Sequence, residues 1–363
     1  MFKYKNSVEV NKDIPSDISK FLTEDLTNYL VIKDGHIIAK QIDKSFEKVE
    51  INDIKEVIKN NNSIITNNQF LNSLEDEAYQ YNLEEVNSGI IVYVPKNVAV
   101  TDTLHIFYIQ EKTDLVNNTL IVLGENSELK YFEYLYNDGE ASINFVSNSI
   151  VKENAKLTYS GLSKFSEKSV VSVIRNSYIS RYGRSLYSIA EINDSMTDSK
   201  TNIFLQEQYA SATTKTIAIT SKEQSAKFTQ LVEHNAPDTE GIIENYGVSN
   251  NNSALVFEGI GKINKNMKRS IARQQNRGIV LGVNSRLDAN PLLLIDEYDV
   301  EASHGAAIGK IDEEQLYYLM SRGLTHKNAQ RLIISGFLSP VTSLMTTKEL
   351  IEDFIGSVEN KTL

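Results

Sequence analysis

The chain has 363 residues, 41% hydrophobic and 23% charged, with no cysteine and no tryptophan, and 37 Lys plus Arg against 48 Asp plus Glu give a formal net charge of -11. That acidic balance disfavours broad binding to phosphate backbones, so nucleic acid is not an expected partner. Without thiols, a disulfide framework, a Cys nucleophile, a Cys-bound zinc and an all-Cys iron–sulfur cluster supplied by this chain are all excluded.

The opening run MFKYKNSVEVNKDIPSD has no apolar signal region, and no later stretch approaches the roughly 18 consecutive apolar residues of a membrane-spanning helix. A soluble, cytoplasmic protein with no membrane contact is expected. Length predicts two or three structural units, and the patterning divides the chain into 1–85, 86–311 and 312–363. In the first, Ile14, Ile18, Phe21 and Leu22 share a helical face, and Ile51, Ile54, Val57 and Ile58 repeat the arrangement. Between them, Tyr29 to Ile32 and His36 to Ala39 flank Asp34-Gly35, a pair that tolerates positive φ and closes a hairpin. A further helix is predicted to carry Phe70, Leu71, Leu74 and Ala78, giving a small mixed α/β region.

From Gly89 to about Ser303 the texture changes to short β-branched and aromatic runs, such as IIVYVP, TLIVL, KYFEYL, KLTYS and SLYSIAEI, with no amphipathic helix among them. About 200 residues of short strands exceed an ordinary sandwich of about 100, so a solenoid that grows by adding coils fits better. A parallel β-helix is the first expectation; a large antiparallel barrel or a pair of sandwiches is the alternative. Glu125-Asn126-Ser127-Glu128-Leu129 is echoed by Glu153-Asn154-Ala155-Lys156-Leu157, each entering a strand after a turn.

Beyond Asp312 the period is helical again. Asp312 and Gln315 form a capping-box-like start, Leu316, Tyr317, Leu319 and Met320 supply a face predicted to be buried, and Gly323 a stop. Thr325 opens a second helix with Ala329, Leu332 and Ile333 inward and Gly336 at its close. Thr346 with Glu349 opens a third, carrying Leu350, Ile351, Phe354 and Ile355. These apolar faces must pack on the β region, on a partner, or on both.

Few local patterns point to catalysis. Gly305-Ala306-Ala307-Ile308-Gly309-Lys310 is one residue short of a Walker A loop and has Ile311 where a hydroxyl would hold Mg²⁺. Gly259-Ile260-Gly261-Lys262 is weaker, and both read as turns between strands. There is no GxSxG or HExxH, and His36, His105, His234, His304 and His326 lack ligand spacing. Asp238, Glu240 and Glu244 follow His234 closely; they form either a solvated acidic turn or a catalytic cluster, and the turn is the simpler account in so acidic a chain. Asp299, Glu301 and His304 also lie close in sequence. If Leu292 to His304 is extended, however, Tyr298, Val300, Ala302 and His304 share one face and the carboxylates the other, so the three cannot hold one ion. His304 then reads as a hydrogen-bonded structural residue at the end of a buried strand.

The ordered motifs of the C-terminal third change that weighting. They run from Gln275-Asn276-Arg277 through Asn290-Pro291-Leu292-Leu293-Leu294-Ile295, Asp299-Val300-Glu301-Ala302-Ser303-His304-Gly305-Ala306-Ala307-Ile308-Gly309 and Asp312-Glu313-Glu314-Gln315-Leu316-Tyr317-Tyr318-Leu319 to Ser321-Arg322-Gly323, Ala329-Gln330-Arg331 and Gly336-Phe337. Together they resemble the SufB/SufD family of iron–sulfur cluster assembly proteins over roughly the last 130 residues. Ser303 and Gly305 beside His304 resemble the SufD branch, whereas SufB has acidic neighbours there. The resemblance implies a right-handed parallel β-helix core with terminal helical regions. It also implies a non-catalytic scaffold subunit that pairs with a SufB-like subunit and carries the SufC-like ABC-type ATPase on its C-terminal helices, where Leu316, Tyr317, Arg322, Gly323, Arg331, Gly336 and Phe337 are the expected contacts.

There is one departure: SufD proteins often have a cysteine two residues before the histidine, and Ala302 stands there. No cofactor is then expected on the isolated chain. A transient cluster or iron would be shared at the subunit interface, with His304 giving one imidazole nitrogen and the partner giving the thiolates. A carbohydrate-active β-helix enzyme and a metal-free homodimeric adaptor are the rival readings.

Overall fold

The computed structural model describes residues 13–59, 75–111, 114–342 and 345–363. From Ile90 to Gly309 the chain passes from one sheet to the other at every strand, and each strand pairs in parallel with the next but one. The product is a parallel β-solenoid of about seven turns, with one sheet of ten strands and one of nine. Glu128 lies beside Lys156, and Lys156 beside Arg184, so equivalent side chains recur one coil on.

The sequence echo at Asn126 and Asn154 marks a corner of this coil. Both residues are left-handed (φ 56° and 54°), as is Asn97 one coil earlier (φ 62°). Short amide side chains tolerate that conformation and also bond along the axis. Asn154 Nδ2 donates to Asn126 Oδ1 at 2.8 Å, and Asn126 Nδ2 to Asn97 Oδ1 at 2.9 Å.

Between the sheets the interior is packed. Tyr131, Tyr159 and Tyr187 recur one coil apart, the first pair tilted at 5.0 Å and the second stacked at 4.7 Å between ring centroids, among Leu104, Leu129, Leu157, Val173 and Ile203. Burying a side chain of this kind stabilises the fold by roughly 1.5–3 kcal/mol. The terminal elements cover the outer faces. On the ten-stranded sheet sit helix α1 (Ser16–Ser19) with Ile18 and the adjacent Phe21, and the C-terminal helices α5 (His326–Thr342) and α6 (Lys348–Thr362) with Ile334, Leu338, Leu350, Phe354 and Val358. On the nine-stranded sheet sit α2 (Ile54–Lys59) and α3 (Glu77–Glu85). The hairpin Tyr29–Lys33 and His36–Gln41 turns at Asp34 and Gly35 (φ 45° and 79°) and extends the ten-stranded sheet, parallel to Ala99–Gln110.

Several elements differ from the sequence reading. Ile51 belongs to the strand Glu50–Asp53, and α2 starts at Ile54. Ala78 lies in α3, while Phe70, Leu71 and Leu74 lie outside the described residues. Gly259 to Lys262 and Gly305 to Gly309 are strand residues, not turns; Gly259 and Gly261 leave room inside the solenoid for the Gln274 amide. Gly336 lies within α5, where a glycine costs only about 1 kcal/mol, and the packing of Ile334 and Leu338 on either side offsets it. Leu332, expected inward, is exposed, whereas Ala329 is buried. The cap of α6 is Thr347, whose Oγ1 accepts from Leu350 N at 3.3 Å, because Thr346 is engaged by His105.

Candidate functional site

His304 lies on the strand Glu301–Gly309, the outermost of the ten-stranded sheet, and every residue of that strand is exposed. Among the described residues no strand pairs with its far edge, which is a surface suited to strand addition. Leu292 and Leu294 on Arg286–Ile295 and Ile308 beside them are exposed apolar side chains at the same end of the solenoid.

Leu292 to His304 is not one extended segment. The strand ends at Ile295, residues 296–300 turn, and a new strand begins at Glu301. The turn is held by the Glu297 carboxylate, which accepts from the backbone N–H of Asn266, Tyr298 and Asp299. Tyr298 and Val300 therefore do not share a strand face with His304. Glu301 pairs with Arg273 at 3.1 Å. Among the described residues, no group of three His, Asp or Glu is placed to hold a metal ion. His304 is thus a lone imidazole on an open edge, not a structural residue on a buried strand.

The other candidates separate. His234 faces the interior, with Nδ1 2.8 Å from Thr239 Oγ1. Asp238 stands at a left-handed corner (φ 58°), where bonds from Arg269 and Gln208 hold its carboxyl below the usual range. Glu244 pairs with Lys215 at 2.9 Å. This is an ion-paired surface, not a catalytic cluster.

The C-terminal helices divide in two. Helix α4 (Glu313–Ser321) is capped by Asp312, whose carboxylate accepts from Glu314 N and Gln315 N at 2.8 and 3.3 Å, and Gly323 (φ 96°) follows it. None of its residues is buried: Leu316 and Leu319 are half-covered, while Tyr317 is 74% exposed. Tyr318, Met320 and Leu332 are exposed too, and Arg322 lies over the Tyr318 ring at 5.2 Å. The buried face predicted for this helix is therefore an open apolar surface. By contrast, Arg331 pairs with Glu359 of α6, and Phe337 meets Tyr246 edge-on at 5.8 Å. Gly336 has open space where a Cβ would stand. Leu316, Tyr317, Arg322 and Gly323 lie on or beside the open helix, while Arg331 and Phe337 are engaged within the chain.

One buried group escaped the sequence reading. Inside the solenoid, Arg175 lies 2.7 Å from Glu133 and 3.0 Å from Glu191, all three with side chains at most 1% exposed. Tyr159 donates to Glu133, and Ser163 to Glu191. Burial pushes the Glu133 carboxyl up despite Arg175. Nothing local marks these residues as partners, since they meet only through the coil repeat.

Fold and site together define a two-sheet β-solenoid that leaves exposed an edge imidazole and one uncovered helix. Residues 107–337 match the SUF system FeS cluster assembly, SufBD core domain, and the chain belongs to this family. Within the family its similarity is to SufD-type iron–sulfur assembly proteins. It is 35% identical over 284 residues to the iron–sulfur cluster assembly protein SufD of Bacillus subtilis (strain 168), covering 76% of this chain and 64% of that protein. An iron–sulfur cluster assembly SufBD family protein of Staphylococcus epidermidis is 25% identical over 272 residues, covering 73% of this chain and 58% of that protein. The chain thus spans less than two thirds of the length of these relatives. Among the described residues no helix is long and apolar enough to cross a membrane.

Proposed function

We propose that this chain is the thiol-free, non-catalytic half of a cytoplasmic cluster-building interface. It pairs through its last coil with a SufB-like subunit that supplies thiolates. The nascent cluster is cargo, not a resident cofactor: His304 contributes one neutral imidazole nitrogen, and the sulfur ligands come from across the interface. A SufC-like ABC-type ATPase sits on α4 and the start of α5, and its nucleotide-driven movement opens the interface. The observation that carries this reading is an exposed imidazole on the outermost strand of the sheet, in a chain without cysteine.

The test is His304→Ala in a complex reconstituted with a thiolate-bearing SufB-like subunit and the ATPase. Cluster yield should fall while subunit assembly is retained; unchanged yield removes His304 from the mechanism.

A further inference from the structure

The strand beneath His304 carries a buried amide whose oxygen has no hydrogen-bond partner among the described residues. In the parallel register His304 stands directly over Gln274 of the strand Ile271–Val280, with Ala302 over Ala272 and Ala306 over Asn276. Ala272, Gln274 and Asn276 are the buried, inward-facing residues of their strand, while Arg273, Gln275 and Arg277 are exposed. In-register neighbours in a parallel sheet share a face. His304 therefore closes the top of the interior column in which Gln274 sits.

The Gln274 amide is fixed from two directions. Its Nε2 donates to Leu292 O at 2.8 Å. A carbonyl can only accept, so this bond also settles which end of the amide is oxygen. Across the interior, Gly259 and Gly261 lack the side chains that would displace it: a Cβ at Gly259 would lie 2.8 Å from Oε1, and one at Gly261 3.0 Å from Nε2. The Oε1 so positioned is buried, in a residue only 5% exposed, and is unpartnered among the described residues. Leaving a buried carbonyl oxygen unpaired costs about 1–3 kcal/mol. One coil above, among the described residues, the His304 imidazole has no hydrogen-bond partner either.

We propose that Gln274 is the positioning residue for His304: its Oε1 accepts the proton on imidazole Nδ1, fixing ring and tautomer so that Nε2 points out of the solenoid end with its lone pair free. Nδ1 is the ring nitrogen nearer the backbone, so a bond there leaves Nε2 at the outer end of the ring. An imidazole that ligates through one nitrogen generally needs its other N–H held by such an acceptor. The inference rests on the reading of His304 as a ligand, but the contact itself requires no iron.

The experiment is two-bond ¹H–¹⁵N correlation of the full chain labelled at histidine, recorded with the imidazole neutral and the His304 signal assigned by its loss in His304→Ala. His304 should carry its proton on Nδ1. Gln274→Met should lower the ratio of Nδ1–H to Nε2–H about fivefold, the equivalent of one neutral hydrogen bond. Gly259→Ala, which pushes Oε1 away, should do the same and serves if the first variant does not fold. A proton on Nε2 in the unaltered protein, or a ratio unmoved in a folded variant, overturns the inference. Cluster yield in the His304→Ala complex tests the functional reading separately, so either result can fail without the other.

Discussion

The ammonium of Lys20, just after the first helix, lies 2.8 Å from the carboxylate of Asp353 on the last, although 333 residues separate them. Asp353 also receives Lys164 at 3.2 Å and the Tyr134 hydroxyl at 3.0 Å, both from the sheet beneath. One carboxylate thus joins both terminal segments to the solenoid. That arrangement fixes α6 on the sheet, and α6 in turn holds α5 through the Arg331–Glu359 pair.

Asp353→Ala should therefore cost about 2–3 kcal/mol in urea unfolding, since it strands charged partners around a side chain only 7% exposed. Hydrogen exchange should quicken in α1 and α6 before the coils open. Burial alone would raise the Asp353 carboxyl, but the bond from Lys20 and the charge of Lys164 hold it below the usual range. A depressed folded value means the contribution is complete above about pH 4 and is lost as pH falls through the folded value.

Buried histidines act in the same direction over a higher range. Burial holds His105 and His234 down to about 4, while the unfolded chain takes up the protons near 6.5. Stability is then complete above about pH 6.5 and lost towards pH 4, by up to about 3 kcal/mol per histidine. His105 also joins Asn28 O at 3.2 Å and Thr346 Oγ1 at 2.7 Å, so its protonation should loosen the segment leading into α6. Urea unfolding between pH 7 and 4.5 should show this slope, and a His105→Gln, His234→Gln double variant should flatten it.

Within the solenoid, Arg175→Met should cost about 3–5 kcal/mol, because it leaves Glu133 and Glu191 buried without their cation. Glu133→Gln should cost far less, since Glu191 still balances Arg175. The raised Glu133 carboxyl gives the opposite pH sign to Asp353: its contribution is present below about pH 4.3 and is lost as pH rises through its folded value. Comparing urea midpoints of Glu133→Gln and the unaltered chain across pH isolates that slope.

Sequence patterning discloses the solenoid, the hairpin at Asp34-Gly35 and the cap at Asp312, because each rests on local periodicity or on one residue's backbone preference. The echo of Asn126 in Asn154 already contains the coil length. Contacts between coils were not legible: Glu133, Arg175 and Glu191 meet only once the repeat is known, and Gln274 becomes notable only when register places it under His304. The α4 face was misjudged because a helical apolar stripe reads the same whether it meets its own chain or another. Gly259 and Gly305 look like turn residues until flanking residues commit them to strands.

Tyr317→Ser should leave stability within about 0.5 kcal/mol, as expected for so exposed a side chain, yet weaken capture of the ABC-type ATPase at least tenfold. Phe337→Ala should do the reverse, costing about 3 kcal/mol through its contact with Tyr246 while a folded fraction still binds. Paired unfolding and pull-down measurements separate the two faces.

The most direct measurement is iron and acid-labile sulfide quantified anaerobically on the purified chain and on its complex with a thiolate-bearing SufB-like subunit. With no cysteine of its own, the chain alone should retain neither, and the complex should hold both in fixed proportion to the subunits. A stoichiometric, stable cluster on the chain by itself would contradict the account.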